Sequence, residues 1–179
     1  AYDQQNSEIN AIIRLNPQAL KQAAELDLER KKKGARGPLH GIPVILKDNY
    51  NTVDLPTSAG SIALAGFTPS SNAFQVAKLR AAGAIILAKA NMDELGRGAS
   101  GYSALGGQTK NPYDLTRTPG GSSAGTAAAI TANFAVVGMG TDTCGSLRIP
   151  ASFNNLVGFR PTKGLSSSAG IIPIFPSDD

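Results

Sequence analysis

Apolar residues recur at Leu20, Ala24 and Leu28, a spacing that lines one face of a helix. Asn16-Pro17 ahead of them supplies a side chain able to cap open amides and a proline suited to the first turn. The pattern predicts a helix ended by Gly34, with Arg30, Lys31, Lys32, Lys33 and Arg36 at its C-terminus, where cations offset the negative end of the helix dipole. A nucleic-acid patch would want aromatics or more basic residues beside that run, so no nucleic-acid partner is expected. Residues 43–46, Pro-Val-Ile-Leu, are a short apolar run after a Gly/Pro-rich loop and predict a buried strand with Lys47 at its end. Residues 73–82 predict a helix stopped by Gly83, and 84–88 predict the next strand. Residues 123–134 are Ala-rich and predict a helix, 135–140 a strand, and 145–154 a further short helix. Strand, helix, strand in that order predicts an α/β fold with at least some parallel pairing. No repeat, linker or low-complexity segment divides the chain.

The length, 179 residues, fits one compact domain, and a formal net charge of +4 says little about partners. The single cysteine, Cys144, excludes an internal disulfide and reads as a reducing, cytoplasmic setting. With one His and one Cys, a zinc site built on those ligands is excluded too, and no metal or cofactor is expected. The opening AYDQQNSEIN has no basic region leading into an apolar stretch, so no signal peptide is expected. The uncharged stretch between Arg117 and Asp142 is broken by Pro119, Gly120, Gly121, Ser122 and Ser123, which argues against a membrane span.

The most unusual composition lies in Pro119-Gly-Gly-Ser-Ser-Ala-Gly-Thr126 and Gly140-Thr-Asp-Thr-Cys-Gly-Ser146. Each sets serines in a glycine-rich turn before a predicted helix, where free backbone N–H groups can face an anion or oxyanion; the same residues also serve as plain turns and N-caps. Gly121-Ser-Ser-Ala-Gly125 satisfies G-x-S-x-G around Ser123. A nucleophile elbow of that type needs a histidine later in the chain, whereas the only one, His40, lies upstream and reads as a loop or packing residue. No G-x-x-x-x-G-K-[ST] phosphate cradle occurs. A serine nucleophile without a histidine leaves a lysine as its strong base, since burial disfavours the ammonium form. Lys47 occupies such a position, and the alternative there is a strand-end lysine reaching out to water.

Three long motifs resemble the amidase signature family: Gly41-Ile-Pro-Val-Ile-Leu-Lys-Asp-Asn49, Pro119-Gly-Gly-Ser-Ser-Ala-Gly125, and Gly140-Thr-Asp-Thr-Cys-Gly-Ser-Leu-Arg-Ile-Pro150 with Val157-Gly-Phe-Arg-Pro-Thr162. The family hydrolyses amides, or transfers their acyl group, through a Ser-Ser-Lys triad. The resemblance implies a mixed β-sheet flanked by helices, with residues 1–179 forming part of a single domain. It implies Ser146 as nucleophile, Ser122 as bridging serine and Lys47 as base, supported by Ser123, Asp142 and Arg148. It further implies an oxyanion hole from the backbone amides of Thr143, Cys144, Gly145 and Ser146, and a cis peptide at Gly121-Ser122.

Cys144 stands where the family usually has glycine, so a φ > 0 at this position would strain the hole. Cys144 as the nucleophile is a second possibility, with no nearby base in sequence. Family members run to several hundred residues, so the chain resembles a fragment. The implied partner is a small-molecule amide, with the oligomeric state open. The alternatives are a glutamine-hydrolysing subunit of a tRNA-dependent amidotransferase, working with partner subunits, and a catalytically inactive fragment.

Overall fold

A computed structural model describes residues 8–177. Residues 1–7, over most of which the absence of a signal peptide was read, and 178–179 lie outside the described residues. In chain order the elements are β1 (Ile12–Leu15), α1 (Ala19–Lys33), β2 (Pro43–Lys47), α2 (Phe74–Ala81), β3 (Ile85–Ala90), β4 (Tyr102–Ser103), β5 (Gly107–Gln108), α3 (Ala124–Thr131), β6 (Val137–Met139) and α4 (Arg148–Phe153). Single 3-10 turns occur at Ile62–Leu64 and Glu94–Gly96.

The main sheet has the order β1-β3-β2-β6. β2 runs parallel to both β3 and β6, while β1 adds antiparallel to β3, so the sheet is mixed as expected. Alternation along β2 divides the core. Ile45 joins Ala88, Ala90, Ala128 and Ala129 in one cluster, beneath α3. Val44 and Leu46 join Val76, Ala84 and Ile86 in the other, beneath α2. Lys47 follows Ile45 at period two and therefore belongs to the α3 face.

Local chemistry fixes the element ends. Asn16 Oδ1 accepts the Gln18 N–H at 2.9 Å in a turn ahead of the helix, which begins at Ala19 with Gln18 as its N-cap and no side-chain cap, so the capping role expected of Asn16 is not met. Gly34 closes α1 at φ +83, with its N–H on the Arg30 carbonyl, and Arg30 through Lys33 occupy the last turn. Helix 123–134 is shorter than predicted: Asn133, at φ +59, turns the chain out of α3. The strand expected over 135–140 contracts to Val137–Met139. The strand expected over 84–88 instead runs to Ala90, because its ladder with β2 continues to the Lys47–Ala90 pair. Among the described residues, no helix is long and apolar enough to cross a membrane.

Candidate active site

Three backbone segments converge beyond the C-terminal ends of β2, β3 and β6. The first carries Lys47, which is fully buried; the alternative of a lysine reaching water is thereby excluded. Its Nζ donates to Ser122 Oγ at 2.7 Å and to Thr141 Oγ1 at 2.7 Å, with the Thr141 carbonyl at 3.5 Å. Asn49, two residues on, holds the same threonine: its Nδ2 donates to Thr141 Oγ1 at 3.1 Å and to the Ile172 carbonyl at 3.0 Å. Tyr50 OH donates to the Gly140 carbonyl at 2.7 Å, and burial pushes its phenol well above the usual range.

The second segment is the glycine-rich turn before α3. Gly121-Ser122 is a cis peptide, as expected. Gly121 lies directly against Asp93: a Cβ there would fall on Asp93 Oδ1. Asp93 is itself buried and fixed, accepting the Ser100 N–H at 3.0 Å and the Gly101 N–H at 2.9 Å, while its own N–H donates to the Ser122 carbonyl at 3.2 Å. The Gly125 N–H donates to the Asn91 carbonyl at 2.9 Å, tying α3 to the end of β3. Such backbone approach is open only to glycine, since a Cβ at 125 would meet Ala11 O and the Asn91 backbone.

The third segment is the loop 140–148. Asp142 gathers it: one carboxylate oxygen accepts the Gly145 N–H at 2.7 Å, and the other accepts the N–H groups of Leu147 and Arg148, each at 3.2 Å. Arg148 Nε lies 2.9 Å from the same carboxylate, and Arg160 Nε donates to the Asp142 carbonyl at 2.8 Å. Burial pushes this carboxyl up, but the Arg148 side chain and the Gly145, Arg148 and Leu147 amides outweigh it and hold it at about 2. Ser146 is 8% exposed, and its carbonyl accepts the Ser123 N–H at 3.0 Å, which clasps the two serine-bearing segments together. Ser123 Oγ donates to the Thr141 carbonyl at 3.3 Å.

Two expectations about this loop change. The Gly145 N–H is turned onto Asp142, so that amide is withdrawn from the expected oxyanion set of Thr143, Cys144, Gly145 and Ser146. The left-handed backbone falls on Gly145, at φ +123, and not on Cys144, so the side chain at 144 causes no strain of the kind anticipated. Cys144 is exposed. His40 holds structure away from this constellation: its Nδ1 accepts the Arg36 N–H at 3.2 Å and its Nε2 lies 2.9 Å from the Leu26 carbonyl, an arrangement met by a ring protonated at Nε2. Among the described residues, no group of three or more His, Cys, Asp or Glu could hold a metal ion.

The structure places Lys47, Ser122, Ser123, Asp142, Ser146 and Arg148 in one constellation. Sequence reasoning missed Thr141 and Asn49, although both stand inside the quoted motifs, and it missed Asp93. It also missed Lys89, whose only signal was a charged residue in an otherwise apolar strand.

The chain belongs to the amidase signature family: residues 1–179 match the Amidase family. Among solved structures it is similar to the peptide amidase of Stenotrophomonas maltophilia, at 52% identity and a TM-score of 0.93, covering 97% of this chain and 37% of that one. A peptide amidase structure, also at 52% identity, holds the competitive inhibitor chymostatin. The chain is 46% identical over 166 residues to a subunit of the glutamyl-tRNA(Gln) amidotransferase of Methanosarcina mazei, covering 93% of this chain and 34% of that protein. It is 46% identical over 178 residues to a putative amidase of Schizosaccharomyces pombe, covering 96% of this chain and 30% of that protein. The chain thus spans about a third of the length of these relatives.

Proposed function

We propose that the protein containing this chain hydrolyses a carboxylic amide through an acyl-enzyme on Ser146, with Ser122 and Lys47 as a proton relay. The observation that carries the reading is the 2.7 Å contact between the fully buried Lys47 amine and Ser122 Oγ. A base must be uncharged to accept a proton, and removal from water favours that form. Lys47 then takes a proton from Ser122, Ser122 takes one from Ser146, and Ser146 Oγ forms a bond to the amide carbon. The proton returns along the same path to the departing nitrogen, so the carbon–nitrogen bond breaks with a neutral amine or ammonia leaving. Water attacks the ester that remains, frees the acid and restores the serine.

With Gly145 committed to Asp142, the oxyanion falls to the amides of Thr143, Cys144 and Ser146, each donor contributing roughly 3 kcal/mol. Asp142 and Arg148 act on this step by holding the loop that presents those amides. Residues 1–179 form part of a single domain in this reading.

The similarity to the peptide amidase at 52% identity supports a peptide amide as substrate. The similarity to the amidotransferase protein supports glutamine, with partner subunits, as a second reading. In the full-length protein, a fluorophosphonate is expected to label Ser146, and Lys47→Ala and Ser146→Ala are each expected to lower amide turnover by several orders of magnitude. Full turnover in Lys47→Ala refutes the relay. Ammonia release from glutamine, measured against peptide amides and simple aliphatic and aryl amides, separates the two substrates.

A further inference from the structure

Lysines stand near the ends of both central parallel strands, and the relay uses only one. Leu46 pairs with Lys89 and Lys47 with Ala90 across the β2–β3 ladder, so alternation sends the two amines to opposite faces of the sheet. Lys89 is fully buried, with Nζ 2.9 Å from Asp48 Oδ1; it also donates to Thr57 Oγ1 at 3.0 Å and to the Pro56 carbonyl at 3.2 Å. Asp48 is the residue directly after Lys47 and is 1% exposed. Its other oxygen accepts both the backbone N–H and the hydroxyl of Ser58. Burial pulls Lys89 below the ordinary lysine range while Asp48 opposes the change. With the amine protonated beside the carboxylate, the pair as a whole carries no net charge.

That neutrality matters to the neighbouring base. A buried carboxylate left without its cation one residue from Lys47 would favour the ammonium form of Lys47, which cannot accept a proton. Other charges nearby have partners of their own. Asp54 also acts on Lys89, but Arg80 holds it at 2.6 Å. On the serine side, Asp93 is taken up by Ser100 and Gly101, and Asp142 is matched by Arg148 and Arg160.

We propose that Lys89 is a positioning residue for the Lys47 base: it cancels the Asp48 carboxylate and pins it to the 56–58 segment, so that the end of β2 holds Lys47 on Ser122 with no uncompensated anion alongside. This rests on the relay reading above. It adds to that reading a residue on the far side of the sheet that sets the pH range in which the relay works.

The test is the rate at which a fluorophosphonate labels Ser146 in the full-length protein, followed as a function of pH. Loss of labelling on the acid side reports protonation of the relay. Lys89→Met is expected to move that acid limb upward by about one pH unit, because Asp48 is left to stabilise the Lys47 cation. Asp48→Asn removes that anion and lets burial discharge Lys89, so its acid limb is expected to stay in place, as is that of the double variant. A shift in Lys89→Met that Asp48→Asn abolishes is a coupling that a purely structural role does not produce. A folded Lys89→Met variant with an unmoved acid limb overturns the proposal. So does a double variant with full labelling rate when neither single variant folds, because the pair is then a stabilising element only. Lys47→Ala keeps the two claims apart: undiminished labelling there overturns the relay, whereas its loss combined with an unmoved limb in Lys89→Met overturns only the role of Lys89.

Discussion

Asp142→Asn tests whether one buried carboxylate organises the loop that presents Ser146. The carboxyl is held at about 2 against an ordinary value of 3.8. At about 1.4 kcal/mol per tenfold change in acidity, that difference corresponds to about 2.5 kcal/mol of preference for the ionised form in the folded protein. The principal charged partner, Arg148, has a side chain 59% exposed, so water screens part of the interaction and a contribution of about 1 to 2 kcal/mol is expected. The sign follows from the depressed value. This contribution is complete above the unfolded-state value of 3.8 and fades as the pH falls through about 2 in the folded state.

Asparagine keeps the shape and one acceptor oxygen but loses the charge that binds Arg148, and its NH2 group faces amides that also donate. Denaturant unfolding of the full-length variant beside the wild type is expected to show a deficit of about 1 to 2 kcal/mol near neutral pH, shrinking progressively below about pH 4. Ser146 labelling by a fluorophosphonate should fall in parallel. Equal stability near neutral pH, or a deficit that persists unchanged into acid, would refute the idea that the ionised carboxylate holds the loop.

Two further substitutions probe backbone approach. Gly125→Ala places a methyl group on the Ala11 carbonyl and the Asn91 backbone, groups that cannot rotate aside, and is expected to cost about 1 to 3 kcal/mol in an unfolding titration. Unchanged stability there would mean that α3 and the end of β3 can separate freely. Gly145→Ala forces a side chain into φ +123 and brings its Cβ within 2.8 Å of Ile149 Cδ1. With about 1 to 3 kcal/mol of local strain, acylation is expected to slow by at least tenfold. A wild-type rate in that variant would show that the loop does not require the left-handed backbone.

Much of the site was legible because the motifs carry both the reactive side chains and the glycines that let their backbones approach. The strand ending in Lys47 could be read from its apolar run, and the helix after Ser123 from its alanines. Other features depended on partners distant in sequence. β1 is four residues long, contains Arg14 and exists as a strand by virtue of its pairing with β3, so its local pattern carried little signal. Lys89 reads as a surface residue until Asp48, Pro56 and Thr57 surround it. The commitment of the Gly145 amide to Asp142 is a matter of which way one peptide faces, and residue types alone do not encode that. The fit at Cys144 is open in the sequence for the same reason, since the motif marks a tight loop without saying which of its residues takes the left-handed turn.

The pairing of β2 with β3 contains a register irregularity between Val44 and Ile45, after which Lys47 lies opposite Ala90. Because neighbouring side chains on a strand face opposite ways, adding one residue between that irregularity and Lys47 would turn the amine toward the α2 layer and bring the Leu46 alkyl group to Ser122, and deleting one would bring the Asp48 carboxylate there instead. Natural insertions should therefore collect in the surface connections of this domain, while the few residues leading to the lysine keep an invariant count even where their identities drift.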